Sequence, residues 1–394
     1  MTALFDVRRN YRVKMTRHPL YIIIFVRSSM KRCFLSGLSA KQQEQLADIS
    51  TKPPPRTRFQ ELREMHRKIL KMCQSIQSIG KLKLSENKVY DFTSDDLKDL
   101  GGIGRGGFGT MNKIIHHSSD TLMTVQRISG VKENEKFLMD LDVVMKFNEC
   151  PYIVQFYGVV FKDWDCWICM EAMDTSLEKL YKYAYERLNQ QIPEKILGKI
   201  TVASVKALNY RKKNLKITPS NILLDCRGNI KLSDFGLPGQ YSIDTTSYSS
   251  YMSYCYMAPE KIDPNLRRRV GYDVSSDVWA LGITLVEVAT GQLPYSTCST
   301  VFQQACQILK ENPPRLRASD NFSPNFVNFV NTCLIKDVNQ RPKNNELLEH
   351  LFIKGSDAES VDVASYVGEI MDAMANDGKK KKKKPMKTSK CTLV

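Results

Sequence analysis

Residues 219–236 read PSNILLDCRGNIKLSDFG. Asp234-Phe235-Gly236 follows the strand-like run Asn229 to Leu232, and Asn221 stands 13 residues before Asp234. A carboxylate at a strand end can hold Mg²⁺ against nucleotide phosphates, and an Asn at this remove can hold a second ion. Working outward, GIGRGGFGTM at 102–111 contains Gly104-x-Gly106-x-x-Gly109. Glycines let a backbone turn come close to phosphates with its amides aimed at them. A dinucleotide fingerprint needs a helix directly after the glycines, whereas Met111 to His117 reads as a strand. The turn therefore belongs to a hairpin.

Downstream, Ala258-Pro259-Glu260 begins 24 residues after Asp234, followed by Asp277-Val-Trp279-x-Leu-Gly282 and Arg341-Pro342. Each signal alone is weak. All of them in this order specify a protein kinase fold, in the α+β class: a small sheet-based lobe and a larger helical lobe. The wider pattern agrees. Apolar β-type runs at 152–161 and 165–173 precede helical patterns at 176–188, 194–212, 274–290 and 299–311. A further helical pattern covers 133–147.

The chain has 394 residues, with 42% hydrophobic and 25% charged, which excludes disordered and collagen-like classes. Its apolar run Leu20 to Val26 is far shorter than the roughly 20 residues a membrane span needs. No secretory signal is expected. The net charge of +16 sits at the ends. Residues 1–81 carry 17 Lys/Arg against 5 Asp/Glu, and residues 378–394 carry 8 Lys and no acid, leaving −4 for 82–377. Basic ends suit acidic partners or an anionic membrane surface rather than nucleic acid. Eleven Cys and no leader point to reduced thiols and a cytoplasmic location. Cys166-Trp-Ile-Cys169 has metal-pair spacing but lies in an apolar run with no second pair, so it reads as strand.

Four segments follow: a basic extension at 1–81 with helical spacing over 58–79, a kinase domain at 96–353, a helical extension at 354–377, and a polylysine tail at 378–394.

From about Gly80 to Met374 the chain resembles the dual-specificity mitogen-activated protein (MAP) kinase kinases. The segments DFTSDDLKDLGGIGRG, MDLDVVMKFNECPYIVQFYG, CWICME and LGKITVASVKALN, with the stretch quoted first, are most similar to the stress-activated branch that activates c-Jun N-terminal kinases. The resemblance implies phosphorylation of Thr and Tyr in a MAP kinase activation loop, with ATP and Mg²⁺ as cofactors. The implied partners are a MAP kinase of c-Jun N-terminal kinase or p38 type and an upstream MAP kinase kinase kinase. It places Gly104, Gly106 and Gly109 over the phosphates, Asp140 at the helical carboxylate position, and Met170 as gatekeeper. Glu171 to Met173 form the hinge, Asn221 and Asp234 hold Mg²⁺, and Glu260 pairs with Arg341.

Two catalytic elements depart from that pattern. Gln126 stands where the family has the phosphate-clamping Lys. Arg127 is expected on the opposite face of the strand, and Lys113 stands nearer the glycines. In the catalytic loop, Leu215-Lys216-Ile217 runs straight into Thr218-Pro219-Ser220-Asn221, five residues short. The base Asp is lost between Ile217 and Thr218, an Arg is lost with it, and Thr218 replaces a Lys. A missing base removes about 10²- to 10⁴-fold in rate, and missing phosphoryl charge on the order of 10²-fold more. The shortened loop is expected to displace Asn221. The two regulatory phosphorylation positions fall on Asp244 and Tyr248. The expectation is a member with impaired catalysis. The alternative is a non-catalytic scaffold or decoy.

At the ends, Arg8, Arg9 and Arg17 before Leu20-x-Ile22, or Lys31-Arg32 before Phe34 and Leu35, fit a MAP kinase docking peptide. Ser360 to Met374 resembles the helix that recruits the upstream kinase, with an apolar face at Val361, Val363, Val367 and Ile370. Lys379 to Lys384 lead to Cys391-Thr-Leu-Val394, which fits a prenylation site, a ligand for a PDZ domain or a plain basic tail.

Overall fold

A computed structural model describes residues 80–85, 87–106, 109–128, 150–162, 165–210, 217–233, 254–266, 275–296, 298, 300–317 and 321–383. The helical patterns at 58–79 and 133–147 and the N-terminal docking stretches lie outside the described residues.

The folded body begins before residue 96. Strands β1 (Lys81–Ser85) and β2 (Lys88–Asp91) form an antiparallel hairpin. The run KLKLS alternates polar and apolar, a period that puts Leu82 inward, and it is fully buried. Gly158 lets this hairpin close on the sheet: a Cβ there would lie 2.2 Å from the Lys81 carbonyl oxygen. Next, Thr93 caps the short turn Ser94–Asp96, its backbone N–H donating to Asp96 Oδ2 at 2.7 Å.

Five strands follow: β3 (Leu97–Gly106), β4 (Gly109–His116), β5 (Thr121–Ile128), β6 (Phe156–Lys162) and β7 (Asp165–Glu171). They form an antiparallel sheet in the spatial order β3-β4-β5-β7-β6. Side chains alternate between its faces. One face carries Ile114, Met123, Val125 and Cys169 and packs under the β1–β2 hairpin with Leu82 and Phe92. The other carries Cys166, Ile168 and Met170 and joins the main core of the helical lobe. Cys166 and Cys169 therefore belong to opposite faces and cannot share a metal ion; both are buried thiols.

A small second sheet, in the order β10-β9-β8, is built from β8 (Thr175–Ser176), β9 (Ile222–Leu224) and β10 (Ile230–Leu232). The helices of this lobe are α1 (Leu177–Glu186), α2 (Glu194–Tyr210), α3 (Pro259–Ile262), α4 (Ser275–Thr290), α5 (Val301–Lys310), α6 (Pro324–Cys333), α7 (Asn344–Leu348), α8 (Leu351–Ala358) and α9 (Val363–Lys383). Helix α4 is apolar nearly all round, and residues 275–289 are all buried, so it is the axis of the lobe. Ser176, Thr300 and Ser323 each start a helix by accepting a backbone N–H three residues on.

Helix α9 holds the apolar face expected at the C-terminal end, and that face is covered by the chain's own lobe. Val363, Val367 and Ile370 are buried in the main core. The Asp377 carboxylate lies 3.8 Å from Arg187 Nε and accepts from Tyr183. The helix runs past 377 to Lys383, into the lysine run. Among the described residues, no helix is long and apolar enough to cross a membrane.

Candidate functional site

The glycine segment is the β3–β4 hairpin, as its spacing predicts. Gly104 lies opposite Met111, and Gly106 opposite Gly109. The glycines serve different needs. At Gly109, φ is +149° and a Cβ would lie 1.8 Å from the Arg127 carbonyl oxygen, so no side chain fits. At Gly104 a Cβ would meet nothing within 4 Å, so the hairpin stem leaves space there for a ligand's approach.

Strand β5 sets the chemistry of the adjoining wall. Gln126 pairs with Met111 and Ile168, and its neighbours on the same face are Thr124 and Ile128. This face is turned toward the helical lobe, because Met111, Ile128, Ile168 and Met170 pack with the main core. Arg127 faces the other way. Its Nη2 donates to Asp99 Oδ2 at 2.6 Å, and its guanidinium carbon sits 4.0 Å from the Trp167 ring centroid. Asn112 Nδ2 donates to both oxygens of the same carboxylate, at 3.1 and 3.0 Å. Partial burial raises the Asp99 carboxyl, but the Gly101 N–H, Asn112 and Arg127 outweigh it and hold it below its ordinary value. Arg127 is thus held on the outer face, as strand alternation predicts.

Met170 is 2% exposed and pairs with Thr124 and Phe156. Past it, the Glu171 backbone N–H donates to the Gln155 carbonyl at 2.8 Å, and Met173 is buried. The Glu171 side chain has a role that sequence reasoning missed. Lys231 Nζ on β10 donates to its Oε1 and Oε2 at 2.8 and 2.7 Å, and the Gln155 N–H donates to Oε2 at 3.2 Å. This pair ties the expected hinge to the strand leading into Asp234. A clue was available in sequence: a Lys inside an apolar strand needs a partner if buried.

The shortened loop is packed on both sides. Ile217 is buried and its carbonyl accepts from Thr284 Oγ1 at 3.4 Å; the Pro219 carbonyl accepts from the Glu178 N–H at 2.9 Å. Thr218 is buried, its hydroxyl 2.9 Å from the Ser220 hydroxyl. The Asn221 N–H donates to the Thr218 carbonyl at 3.0 Å. Its own carbonyl accepts from Ser233 N–H at 2.9 Å and Ser233 Oγ at 3.2 Å. These bonds fix the Asn221 backbone beside Ser233, the residue before Asp234 in sequence. Asp140, Asp234, Asp244, Tyr248 and Cys391 lie outside the described residues.

In the helical lobe, Glu260 and Arg341 meet as expected. Nη1–Oε1 is 2.7 Å and Nη2–Oε2 is 3.2 Å, a two-pronged pair between side chains almost without exposure. Ser276 Oγ donates to Glu260 at 2.7 Å, and the Ile335 and Ser275 carbonyls accept from Arg341. A second buried carboxylate, Glu287, accepts from Tyr181 and from Tyr256, each at 2.5 Å. It joins α1 and α4 to the segment just before α3. Nothing in its local sequence announces it.

The residues present fit one part of the nucleotide that the fold implies. Open space at Gly104 and methionines at 111, 170 and 173 suit a flat heterocycle beside a close backbone turn. Among the described residues, strand β5 offers the phosphate end no cation, because Gln126 is neutral and Arg127 is bound to Asp99.

The protein kinase domain family matches residues 97–353, more than half the chain. Dual specificity mitogen-activated protein kinase kinase 7 of Rattus norvegicus and of Homo sapiens are each 44% identical over 309 residues, covering 76% of this chain and 73% of theirs. The Mus musculus protein of that name is also 44% identical over 309 residues, which are 57% of its length.

Proposed function

Because the chain belongs to the protein kinases, and within them to the dual-specificity MAP kinase kinases of the c-Jun N-terminal kinase-activating branch, we propose that it works in a stress-activated cascade mainly by binding. It holds a MAP kinase and the kinase upstream while transferring phosphate weakly or not at all. The observation that carries this reading is Gln126 on the cleft face, with Arg127 turned away onto Asp99 and Trp167. No cation follows from that strand to the phosphates, and the loop that should supply the base is five residues short.

The retained groups keep the scaffold. Gly109 permits the hairpin, the Lys231–Glu171 pair holds the hinge, and Glu260–Arg341 braces the helical lobe. ATP and Mg²⁺ are the family's cofactors, with Gly104, Gly106, Met170, Met173 and Asn221 the residues here that would meet them. Mg²⁺, when bound through Asn221 and Asp234, supplies charge neutralisation at the phosphates. The lysine run, into which α9 extends, supports an additional contact with an anionic membrane, and Cys391 a prenyl anchor. Intact mass from a eukaryotic host tests the latter, and an unmodified Thr-Leu-Val end would remove it.

The test of the main reading is phosphotransfer by the whole chain. Mg-ATP, a catalytically dead c-Jun N-terminal kinase and a Gln126→Ala control are required. The expected result is no Thr-x-Tyr phosphorylation above the control, with the MAP kinase still captured. Phosphorylation that the control loses would overturn the reading.

A further inference from the structure

We infer that His116 is an acid-sensitive latch on the β1–β2 hairpin: a proton taken up by its ring releases the hairpin from the five-stranded sheet. This stands apart from whether the chain transfers phosphate. It concerns the first element of the folded body, to which the basic extension leads in sequence.

His116 ends β4, opposite Leu97 on β3 and Thr121 on β5. Two residues after Ile114, it shares the face that packs under the hairpin. Its ring meets Tyr90 edge-on with centroids 5.5 Å apart, and Phe92 at 6.1 Å. The residue is 1% exposed. The hydroxyls beside it assign the tautomer. Ser119 Oγ donates to Thr121 Oγ1 at 3.0 Å, so toward the ring it accepts, and His116 Nδ1, 2.8 Å away, carries the hydrogen. That leaves Nε2 with a bare lone pair, buried and without a hydrogen-bond partner. A neutral ring suits this place. A protonated one does not, because the new N–H would be buried with nothing to accept it.

The surrounding groups do not offset that charge. Asp96, in the turn Ser94–Asp96, favours the proton. Its carboxylate, however, already accepts from the Thr93 N–H at 2.7 Å and Thr93 Oγ1 at 2.9 Å. His117, next along the chain, disfavours the proton. From β2 the ring faces the Tyr90 phenol, and the Lys81–Asp91 ion pair lies on the exposed side of the hairpin. Burial outweighs Asp96 and holds His116 below its ordinary value of 6.5.

The hairpin is the element that gives way. The Gly80 N–H ties it to the Val159 carbonyl at 2.9 Å, and Leu82 and Phe92 hold it by apolar packing. A segment secured in this way opens more readily than a central ladder. Once the hairpin lifts, the ring meets water and titrates near its ordinary value. The closed form binds the proton less well than the open one. Its advantage is therefore complete above 6.5 and falls as pH drops below that value. With one proton involved, the opening constant at about pH 5.5 is roughly tenfold higher than at neutral pH.

Hydrogen exchange of the whole chain at about pH 7.5 and 5.5, corrected for the intrinsic effect of pH on amides, reads the latch. Protection of the amides from Lys81 to Phe92 is expected to fall about tenfold, while that of α4 holds. His116→Phe keeps an aromatic ring in place and removes the titration, so its hairpin should lose less than about twofold. Equal hairpin protection at both pH values in the unchanged chain would overturn the inference. So would an equal fall in His116→Phe, or a fall in α4 as large as that in the hairpin. Should His116→Phe fail to fold, NMR of the imidazole in the unchanged chain decides. The ring is expected to stay neutral, with its hydrogen on Nδ1, for as long as the hairpin is closed. A ring that titrates at its ordinary 6.5 while the hairpin keeps its protection would sink the latch.

Discussion

Glu260 and Arg341 meet across 81 positions of sequence, and the guanidinium has no water to fall back on. Glu260→Ala leaves that charge buried, facing only backbone carbonyls and the Trp279 ring. A loss of about 3–5 kcal/mol is expected, read as a lower urea midpoint. Glu287 makes a prediction of a different kind. Burial raises its carboxyl above the ordinary 4.5, against opposing bonds from Tyr181 and Tyr256. The folded state then keeps this proton after the unfolded chain has released it, so stability falls as pH climbs from 4.5 through the raised value. Glu287→Gln removes that titration, and its urea midpoint should fall less over the window. An unchanged slope would assign the effect to another group. The first pair was legible in sequence, because the motif Ala258-Pro259-Glu260 and the pair Arg341-Pro342 resemble a known arrangement. The second was not. Tyr181, Tyr256 and Glu287 are ordinary residues in ordinary helical or loop patterns, and only packing makes them one group.

At the scale of elements, alternation carried most of the reading. The strand after the glycines, the buried strand with two Cys and the side to which Arg127 turns all follow from a period of two. The β1–β2 hairpin lies before the boundary expected at 96, although KLKLS alternates as a strand does. Gly158 tests the hairpin's attachment. Gly158→Ala places a Cβ 2.2 Å from the Lys81 carbonyl oxygen and should push β1 away from the sheet. Hydrogen exchange of amides 81–91 is expected to rise, while the β4–β5 ladder keeps its protection. Equal protection in both segments would show that β1 tolerates the shift.

For the whole molecule, α9 is part of the fold rather than an appendage. Ile370→Ala removes a side chain 3% exposed in the main core, and a loss of about 2–5 kcal/mol is expected, visible as a lower melting temperature. An unchanged melting temperature would mean that the helix is held from its polar side alone. The proposed catalytic deficit also belongs to this scale, since its two parts lie on different lobes. Gln126→Lys alone and a five-residue insertion carrying Asp between Ile217 and Thr218 alone should both leave phosphorylation at the Thr-x-Tyr site undetected. Together they should restore it, because residues that act as a unit are far from additive. Restoration by either change alone would show that the other element is dispensable.

The sequence by itself determined the kinase fold, the glycine hairpin, the order of its motifs, and that Gln126 and the short run Ile217 to Asn221 depart from the family pattern. These are matters of residue type, spacing and short-range period, which a linear chain displays directly. Tertiary structure alone decided the partners of what remains. Lys231 is spent on Glu171 at a separation of 60 residues, Arg127 on Asp99 at 28, and the apolar face of α9 on its own lobe. A charge or an apolar stripe announces that it needs a partner, and only the folded chain, by bringing distant segments within a few ångströms, selects which one it gets.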